Sequence, residues 1–423
     1  MTPDARPVLA ASNTDTDELV GSRVEADVGS VAHGGHCIAR APDGRVIFVR
    51  HTLPGERVVA VITEERRGYL RADAVEILRA SPDRVPAPCP YAGPDRCGGC
   101  DFQHVEPRAQ RDLKTAVVRE QLTRIGRMSD AEVDALGIRV RELPGGPLGW
   151  RTRLRYTVAG DGRAGLLKHR SHEVVPVDTC LIAAPGVQHA AVTSRDWPEA
   201  DAVEVVAPGG GGEATVIAIR GHEPADVVAG PDRVEEIAAG HRWRLDPAAF
   251  WQVHPASADA FVASVMRLLE PRPGEHAWDL YGGVGLFAAA IADRVGTGGS
   301  VTVVESDDRA VLAASASLAD LRQVTIVSST VERMRLRGRP DIVVLDPPRT
   351  GAGTKVVRRL IDAGPRAIAY VACDPAAFAR DVATFRSAGW RLSALDAYDA
   401  FPMTHHVECV GLLEPGDSPA GRG

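Results

Sequence analysis

The last third of the chain alternates between short apolar runs and Ala-rich segments with helical spacing. The apolar runs are HAWDLY, SVTVVES, VTIVSS, DIVVLD, AIAYVA, WRLSALDAYD and HVECVGLL, and segments such as GLFAAAIADRV and RAVLAASASLADL lie between them. Strands that alternate with helices predict a parallel, doubly wound sheet with helices on both faces. We therefore predict a seven-stranded α/β domain over residues 247–415, with its last two strands joined by a short, turn-rich link.

The first part of the chain has a different pattern, in which short alternating segments are separated by turns. SRVEADVGSVA, RVIFVRHTLPGERVVAVI and GYLRADAVEIL are bounded by Gly-Gly, Asp-Gly and Pro-Gly pairs. About five short strands in a stretch of this length are typical of a small closed barrel. We expect a β-barrel over residues 18–80. Polar, turn-rich sequence predicts disordered tails over 1–17 and 416–423.

The region between barrel and α/β domain, residues 81–246, is mixed. It begins with a cysteine-bearing loop, continues with the helical stretch AQRDLKTAVVREQLTRIGR, and ends in strand-like segments interrupted by the loop PGGGGE. This order predicts a central α+β domain. Its helix, at about 103–126, is a candidate for packing on the α/β domain.

Composition and charge add limits rather than a function. The 423 residues are 44% hydrophobic and carry a formal charge of −7, which is a weak argument against a nucleic-acid-binding protein. The 46 arginines and 3 lysines favour bidentate phosphate contacts, or reflect the composition of the source genome. We find no apolar run that predicts a membrane span and no signal peptide. We therefore expect a cytoplasmic enzyme that needs no membrane and no obligate protein partner.

A glycine-rich loop follows the first strand of the predicted α/β domain. The strand ends in Asp279 and runs into Gly282-Gly283-Val284-Gly285 and then a helix, and the next strand ends in Glu305. Glycines let the backbone approach a ligand beyond the carboxyl end of the strand, and the second carboxylate can accept hydrogen bonds from ribose hydroxyls. An acid before the glycines suits the cationic end of S-adenosylmethionine and would repel a pyrophosphate. A methyl donor is therefore favoured over a dinucleotide, and a tight turn without a ligand is the remaining alternative.

Candidate catalytic groups follow other strands at the same rim of the sheet. Asp346-Pro347-Pro348-Arg349 follows one strand, Cys373-Asp374-Pro375 follows the next, and Glu408 lies near the end of the chain. A thiolate that adds to C6 of uracil makes C5 nucleophilic, and the methylated adduct must then lose its C5 proton to a base. Cys373 and Glu408 would supply these two functions. Taken alone, a buried structural thiol is the commoner fate of a cysteine beside an apolar strand.

Several motifs together resemble the RNA uracil-5-methyltransferase family, over roughly residues 18–414. They are F-x-Q at 250–252, D-L-Y-x-G-x-G-x-F at 279–287, D-P-P-R at 346–349, C-x-P-x-x-x-A-R-D at 373–381 and F-P-x-T-x-H-x-E at 401–408. The resemblance implies a class I, S-adenosylmethionine-dependent methyltransferase fold with Cys373 as nucleophile and Glu408 as base. It also implies contacts to the methyl donor from Gln252, Tyr281, Gly283, Gly285, Glu305, Thr330 and Asp346.

The cysteines suggest a second centre. Cys89, Cys97 and Cys100 form C-x7-C-x2-C, and Cys180 follows farther along the chain. Four thiolates can hold zinc or a [4Fe-4S] cluster, and the spacing alone leaves both open. A branch of the same family carries C-x5-C-G-G-C with a distant cysteine, which this set resembles apart from two extra residues after Cys89. That resemblance implies a [4Fe-4S] cluster.

A basic strand and the barrel point to RNA. In WRTRLRY, the side chains of Arg151, Arg153 and Arg155 alternate and so share one face of a strand, and residues 150–170 carry a net charge of +5. The pattern predicts RNA binding, with a merely solvated charged face as the alternative. The N-terminal region resembles a TRAM domain, an RNA-binding module of OB-like form. By resemblance, 23S ribosomal RNA is favoured over transfer RNA as the substrate.

Two other functions compete with this interpretation. An amino-methyltransferase commonly has an aromatic residue after Pro-Pro and needs no thiol, whereas this chain has Arg349 there and Cys373 on the next strand. A non-catalytic iron–sulfur RNA-binding protein would need neither a donor loop nor a base. Methyl transfer from a labelled donor to RNA distinguishes these possibilities.

Overall fold

The computed structural model describes residues 19–221, 226–334 and 338–416. Both predicted tails, 1–17 and 416–423, lie outside these ranges apart from Gly416. The chain divides between Arg84 and Val85 into two compact units. Along the described ranges, no helix combines the length and the hydropathy needed to cross a membrane.

The first unit is a curled antiparallel sheet. Between residues 19 and 84 its strands are Arg23–Asp27 (β1), Val31–Ala32 (β2), His36–Arg40 (β3), Val46–Arg50 (β4), Arg57–Glu65 (β5) and Tyr69–Arg79 (β6). They lie in the order β1-β5-β6-β4-β3-β2, and only β4 and β6 pair in parallel. Ile38 exchanges backbone hydrogen bonds with Gly29 and Ser30, which brings the chain after β1 back against β3. Apolar residues at alternate positions fill the interior, as expected for a small barrel.

The second unit begins with two helices and a short strand that pack beside the later α/β sheet. They are Pro107–Arg124 (α1), Asp130–Ala135 (α2) and Val140–Glu142 (β7). Helix α1 begins with Pro107 at its first turn and with the Glu106 carboxylate accepting a hydrogen bond from the Ala109 amide, both common features of helix N-termini. Helix α1 packs against the helix Pro375–Ser387 of the α/β domain. The sequence pattern predicted α1 but not β7.

A central antiparallel sheet follows. Within the described residues its elements are Arg153–Val158 (β8), Ala164–Leu167 (β9), Val174–Pro176 (β10), the short helix Pro185–His189 (α3), a 3₁₀ turn at Val192–Ser194, Ala202–Val206 (β11), Thr215–Ile219 (β12) and Asp226–Ala229 (β13). A separate hairpin is formed by Val234–Ala238 (β14) and His241–Leu245 (β15). The strand order of the sheet is β10-β9-β8-β11-β12-β13. In β8, Leu154 and Tyr156 are buried while Arg155 between them is exposed, which is the alternation expected of a half-buried strand.

The last part of the chain is the α/β domain. Its described elements are Ser257–Leu269 (α4), His276–Leu280 (β16), Leu286–Val295 (α5), Ser300–Glu305 (β17), Asp308–Ser317 (α6), Val324–Ser328 (β18), Ile342–Leu345 (β19), Gly353–Ala363 (α7), Ala367–Ala372 (β20), Pro375–Ser387 (α8), Trp390–Asp399 (β21) and Glu408–Pro415 (β22). All seven strands predicted from the sequence are present. In the described part of the sheet the order is β18-β17-β16-β19-β20-β22-β21-β7.

Two features of this sheet differ from the prediction. Strand β22 runs antiparallel to both β20 and β21, because the short link after β21 returns the chain beside the strand it has just left. In addition, β7 pairs in parallel with β21 and forms an eighth, edge strand. From β16 the chain adds β17 and β18 on one side, and then crosses over and adds β19 and β20 on the other side. The order of the strands therefore reverses at β16. Ligands of doubly wound sheets bind outside the carboxyl ends of the strands at such a switch point.

Candidate functional site

The glycine loop after β16 is built to bring backbone close to a ligand. Gly283 and Gly285 have φ values of +54° and +84°, which L side chains rarely adopt. A Cβ atom at Gly285 would also lie 2.5 Å from a methyl carbon of Leu318. The loop is closed from the next strand, because the Gly283 amide donates a 2.9 Å hydrogen bond to Glu305 Oε2. Glu305 and the glycines predicted from the sequence therefore lie together.

Three carboxyl groups concentrate negative charge beside this loop. Burial raises the pKa of Asp279 to about 7, and the Glu305 carboxylate adds to the shift. Burial likewise raises the pKa of Asp346 to about 7, with further contributions from Asp279 and Glu305. Asp279 Oδ2 accepts a hydrogen bond from the Ala288 amide at 2.9 Å, whereas its buried Oδ1 has no hydrogen-bond partner among the described residues. A cationic ligand would relieve this mutual repulsion.

Trp243 connects strand β15 to the glycine loop, and the sequence pattern did not identify it as a site residue. It is completely buried in β15, and its indole N–H donates a 3.0 Å hydrogen bond to the Val284 carbonyl. Its ring also packs against the ring of Trp251, with 5.2 Å between the centroids. Trp251 directly precedes Gln252 in the chain. Gln252 is therefore held near the glycine loop. The signal in the sequence was a lone tryptophan in the strand HRWRL, which has no motif of its own.

The other two predicted donor contacts follow β16 and β18. Tyr281 follows β16 with a positive φ of 58°, and its hydroxyl donates a 2.9 Å hydrogen bond to Glu332 Oε1. Thr330 is exposed in the loop after β18, which is the edge strand on this side of the described sheet.

Cys373 and Glu408 stand on adjacent strands at the same rim. Strands β20 and β22 pair as far as Ala372 opposite Cys409, and Cys373 and Glu408 are the residues next to this last pair. Cys373 is half-buried and Glu408 is 4% exposed. The Glu408 carboxylate is near enough to raise the pKa of the Cys373 thiol. The two residues predicted to act on one base therefore lie close together.

Burial and the surrounding charges raise the pKa of both groups. Burial raises the pKa of the Cys373 thiol to about 12, and the carboxylates of Glu408 and Asp346 add to the shift. Burial, then Asp346, raise the pKa of Glu408 well above its usual value. Arg349 acts in the opposite direction on both groups. Positive charge that arrives beside the pair would favour the thiolate and the carboxylate.

The four cysteines predicted to bind metal line one cavity of about 690 Å³. Cys89, Cys97, Cys100 and Cys180 are free thiols there. Burial raises the pKa of Cys100 to about 12, and the nearby Cys180 and Cys97 contribute. Within the ranges that the structure describes, no group of three or more His, Cys, Asp or Glu side chains is arranged to hold a metal ion. The chain gathers the thiols around a common space without forming a ready-made metal site.

The basic strand is less uniform than its alternation predicted. The Arg153 side chain forms hydrogen bonds within the protein. Its Nε donates to Glu204 at 2.8 Å, and its terminal nitrogens donate to the carbonyls of Pro247 and Ala249 at 2.9 and 2.5 Å. Sequence alternation could not show that Glu204 would lie on the neighbouring strand. Arg155 is exposed, and Arg151 and Arg155 both line the cysteine cavity. The basic face available to a partner is therefore reduced to these two arginines.

Comparisons with known proteins cover nearly the whole chain. Residues 17–75 match the family model of the TRAM domain, and residues 331–415 match that of tRNA (Uracil-5-)-methyltransferase. An uncharacterized RNA methyltransferase of Streptomyces avermitilis is 49% identical, over 94% of this chain and 99% of its own length. Another, from Corynebacterium glutamicum, is 36% identical over 95% of this chain and 99% of its own.

A solved structure shares the fold. The tRNA (uracil-54, C5)-methyltransferase of Pyrococcus abyssi, in complex with S-adenosyl-L-homocysteine, superposes with a TM-score of 0.67 and 22% sequence identity. The match covers 92% of this chain and 99% of that chain. The similarity therefore includes the barrel, the central sheet and the α/β domain.

Proposed function

The chain belongs to the RNA uracil-5-methyltransferase family, and on that premise we propose that Cys373 and Glu408 carry out the chemistry. The Cys373 thiolate adds to C6 of a uridine, and C5 then takes the methyl group from the sulfonium of S-adenosylmethionine. Glu408 removes the C5 proton, the C5–C6 double bond re-forms, and the thiolate leaves. The observation that supports the proposal is the pairing of β20 with β22, whose last pair, Ala372 and Cys409, is adjacent to Cys373 and Glu408.

The methyl donor would supply the positive charge that the site lacks. Its cationic end would lie near Asp279 and Asp346, against the glycine loop of Gly283 and Gly285, and Glu305 would accept hydrogen bonds from its ribose hydroxyls. A positive charge beside Asp346 would lower the pKa of Glu408 and of Cys373, in the same direction as Arg349. Donor binding would thus prepare both groups for reaction, with Gln252 held near the loop through Trp243.

We propose large-subunit ribosomal RNA as the substrate, because the barrel together with the four cysteines resembles the family branch that acts on this RNA. Transfer RNA is the second candidate, and the description of the family model matched at residues 331–415 favours it. The deciding experiment incubates the protein with labelled S-adenosylmethionine and unmodified 23S or transfer RNA transcripts, followed by nucleoside analysis. We expect 5-methyluridine in 23S RNA. Label confined to transfer RNA would reverse the choice of substrate, and RNA binding without any label would favour a non-catalytic RNA-binding protein.

We further propose that Cys89, Cys97, Cys100 and Cys180 hold a [4Fe-4S] cluster. The support is that all four thiols line one cavity. A cluster binds each thiolate through a different iron atom, so the sulfurs need not converge on a single ion. Uracil methylation needs no electron transfer from a redox cofactor, so we expect the cluster to have a structural role. Protein purified without oxygen should contain iron and sulfide, and stoichiometric zinc without iron would contradict the assignment.

A further inference from the structure

The link between β21 and β22 contains a strained backbone. We call residues 400–407 the catalytic segment, because it leads directly into Glu408. Met403 within it has a φ of +67°, a left-handed conformation that is unfavourable for any residue with a side chain. Met403 is also buried, with only 4% of its surface exposed. Such a conformation persists only where surrounding contacts enforce it.

The contacts that enforce it come from residues outside the α/β sheet. The Met403 amide donates a 2.9 Å hydrogen bond to Gln110 Oε1. The Met403 carbonyl accepts from the amides of Asp101 and Phe102, both at 2.9 Å. Gln110 Nε2 in turn donates to the carbonyls of Phe102 and Val105, at 3.2 and 2.9 Å. Both polar backbone groups of Met403 are therefore bonded to residues 101–110.

Two more contacts extend this support along the catalytic segment. Asp101 Oδ2 accepts from the His405 amide at 3.0 Å and lies 2.6 Å from His405 Nδ1. Lys114 Nζ donates to the Phe401 carbonyl at 3.0 Å. The support thus acts at three positions, before, at and after Met403.

We propose that Gln110 and Asp101 are positioning residues for the catalytic base, an inference that rests on the proposed role of Glu408. Glu408 lies five residues after Met403 and at the first position of β22. A general base must reach the proton it removes within hydrogen-bonding distance. Relaxing Met403 would let the catalytic segment move at the end that leads into Glu408, while Cys373, which directly follows β20, would stay in place. The step that suffers is therefore release of the methylated adduct rather than its formation.

The test separates these two steps. Full-length Gln110→Ala is mixed with labelled S-adenosylmethionine and the RNA transcript that the wild type methylates, and the covalent protein–RNA adduct is followed on denaturing gels over a single turnover. We expect adduct to form within about twofold of the wild-type rate and to disappear about tenfold or more slowly, since a well-placed base contributes about 10²–10⁴ in rate. Gln110→Glu keeps an acceptor for the Met403 amide but loses the donor to the Phe102 and Val105 carbonyls, so it should restore the release rate only in part.

Gln121→Ala is the matched control. Gln121 lies on the same helix eleven residues from Gln110, and both side chains are buried, with 8% of Gln121 and 1% of Gln110 exposed. Release at the wild-type rate in folded Gln110→Ala, or equally slow release in Gln121→Ala, would overturn the proposal. Asp101→Ala removes the contacts of the Asp101 carboxylate with His405 and carries the same expectation if Gln110→Ala does not fold. Absence of any adduct in Glu408→Gln would instead contradict the proposed function itself.

Discussion

Lys114 Nζ lies 2.5 Å from Asp399 Oδ1, and neither side chain is more than 3% exposed. This buried ion pair fastens α1 to the end of β21, immediately before the catalytic segment. Burial lowers the pKa of Lys114, and the Asp399 carboxylate opposes that shift. The charged form of Lys114 is therefore stabilised by Asp399.

Replacing one member of this pair should be costly. Lys114→Met leaves Asp399 buried without a counter-charge, and breaking buried pairs in this way typically costs about 3–5 kcal/mol in the free energy of unfolding. Lys114→Met/Asp399→Leu should recover most of that loss, because no charge remains buried. Denaturant unfolding of both variants measures the difference. A single variant as stable as wild type would show that the pair contributes nothing.

Donor affinity should depend on pH. Asp279 and Asp346 have pKa values of about 7 without a ligand, and a cationic donor favours their ionised forms. Binding at pH 6 must therefore release protons, whereas binding at pH 8 need not. We expect the affinity for S-adenosylmethionine, measured by calorimetry, to fall by up to about tenfold per pH unit below pH 7 for each proton released.

Asp346→Asn serves as the control for this pH dependence. It removes one titrating group, so the slope of affinity against pH should decrease. A donor affinity that stays constant between pH 6 and 8 in wild type would contradict the assignment of these carboxyl groups to the donor site.

Trp243→Phe should weaken donor binding. The substitution keeps an aromatic ring in the core but leaves the Val284 carbonyl without its 3.0 Å hydrogen bond from the indole. Such a loss is worth about 1 kcal/mol or more, which corresponds to roughly a five- to tenfold lower affinity for S-adenosylmethionine. Trp390→Phe is the matched control, because Trp390 is also buried but lies on β21 and packs against Phe385 of α8. Equal losses in the two variants would indicate a general packing effect.

The arginines of the basic strand should separate into two classes. Arg151→Ala and Arg155→Ala should each weaken RNA binding and reduce the salt dependence of affinity by about one unit of slope. Arg153→Ala should leave the slope unchanged and lower stability, because Arg153 holds Glu204 and the carbonyls before the F-x-Q motif. Filter binding over a range of salt concentrations tests both expectations. A reduced slope for Arg153→Ala would mean that its guanidinium also reaches phosphate.

The sequence predicted most where a motif coincided with a strand end. All seven strands of the α/β domain follow from apolar runs, and parallel strands bring their carboxyl ends to one rim, so Asp279, Glu305, Asp346 and Cys373 were expected there. The antiparallel direction of β22 was not predicted, because an apolar run carries no information on strand direction. That direction brings the start of β22, with Glu408 beside Cys409, to the end of β20 that Cys373 follows.

Contacts between distant segments were beyond the sequence pattern. The pairing of β7 with β21, the bond between Trp243 and Val284, and the support of Met403 by Gln110 join residues far apart in the chain. Periodicity describes one segment at a time, so it shows which face is buried but not which neighbour covers it. For Arg153 the alternation predicted the correct face, and the position of Glu204 then determined its role.

Trapping the covalent intermediate tests the proposed roles of Cys373 and Glu408 most directly. Wild type, Cys373→Ala and Glu408→Gln are incubated with labelled RNA, with and without S-adenosylmethionine, and separated on a denaturing gel. We expect a slowly migrating protein–RNA band for Glu408→Gln that depends on the donor, because thiolate addition and methyl transfer proceed while the C5 proton stays. Cys373→Ala should give no band and no 5-methyluridine. Full methylation by Cys373→Ala would contradict the assignment of the nucleophile and with it the proposed mechanism.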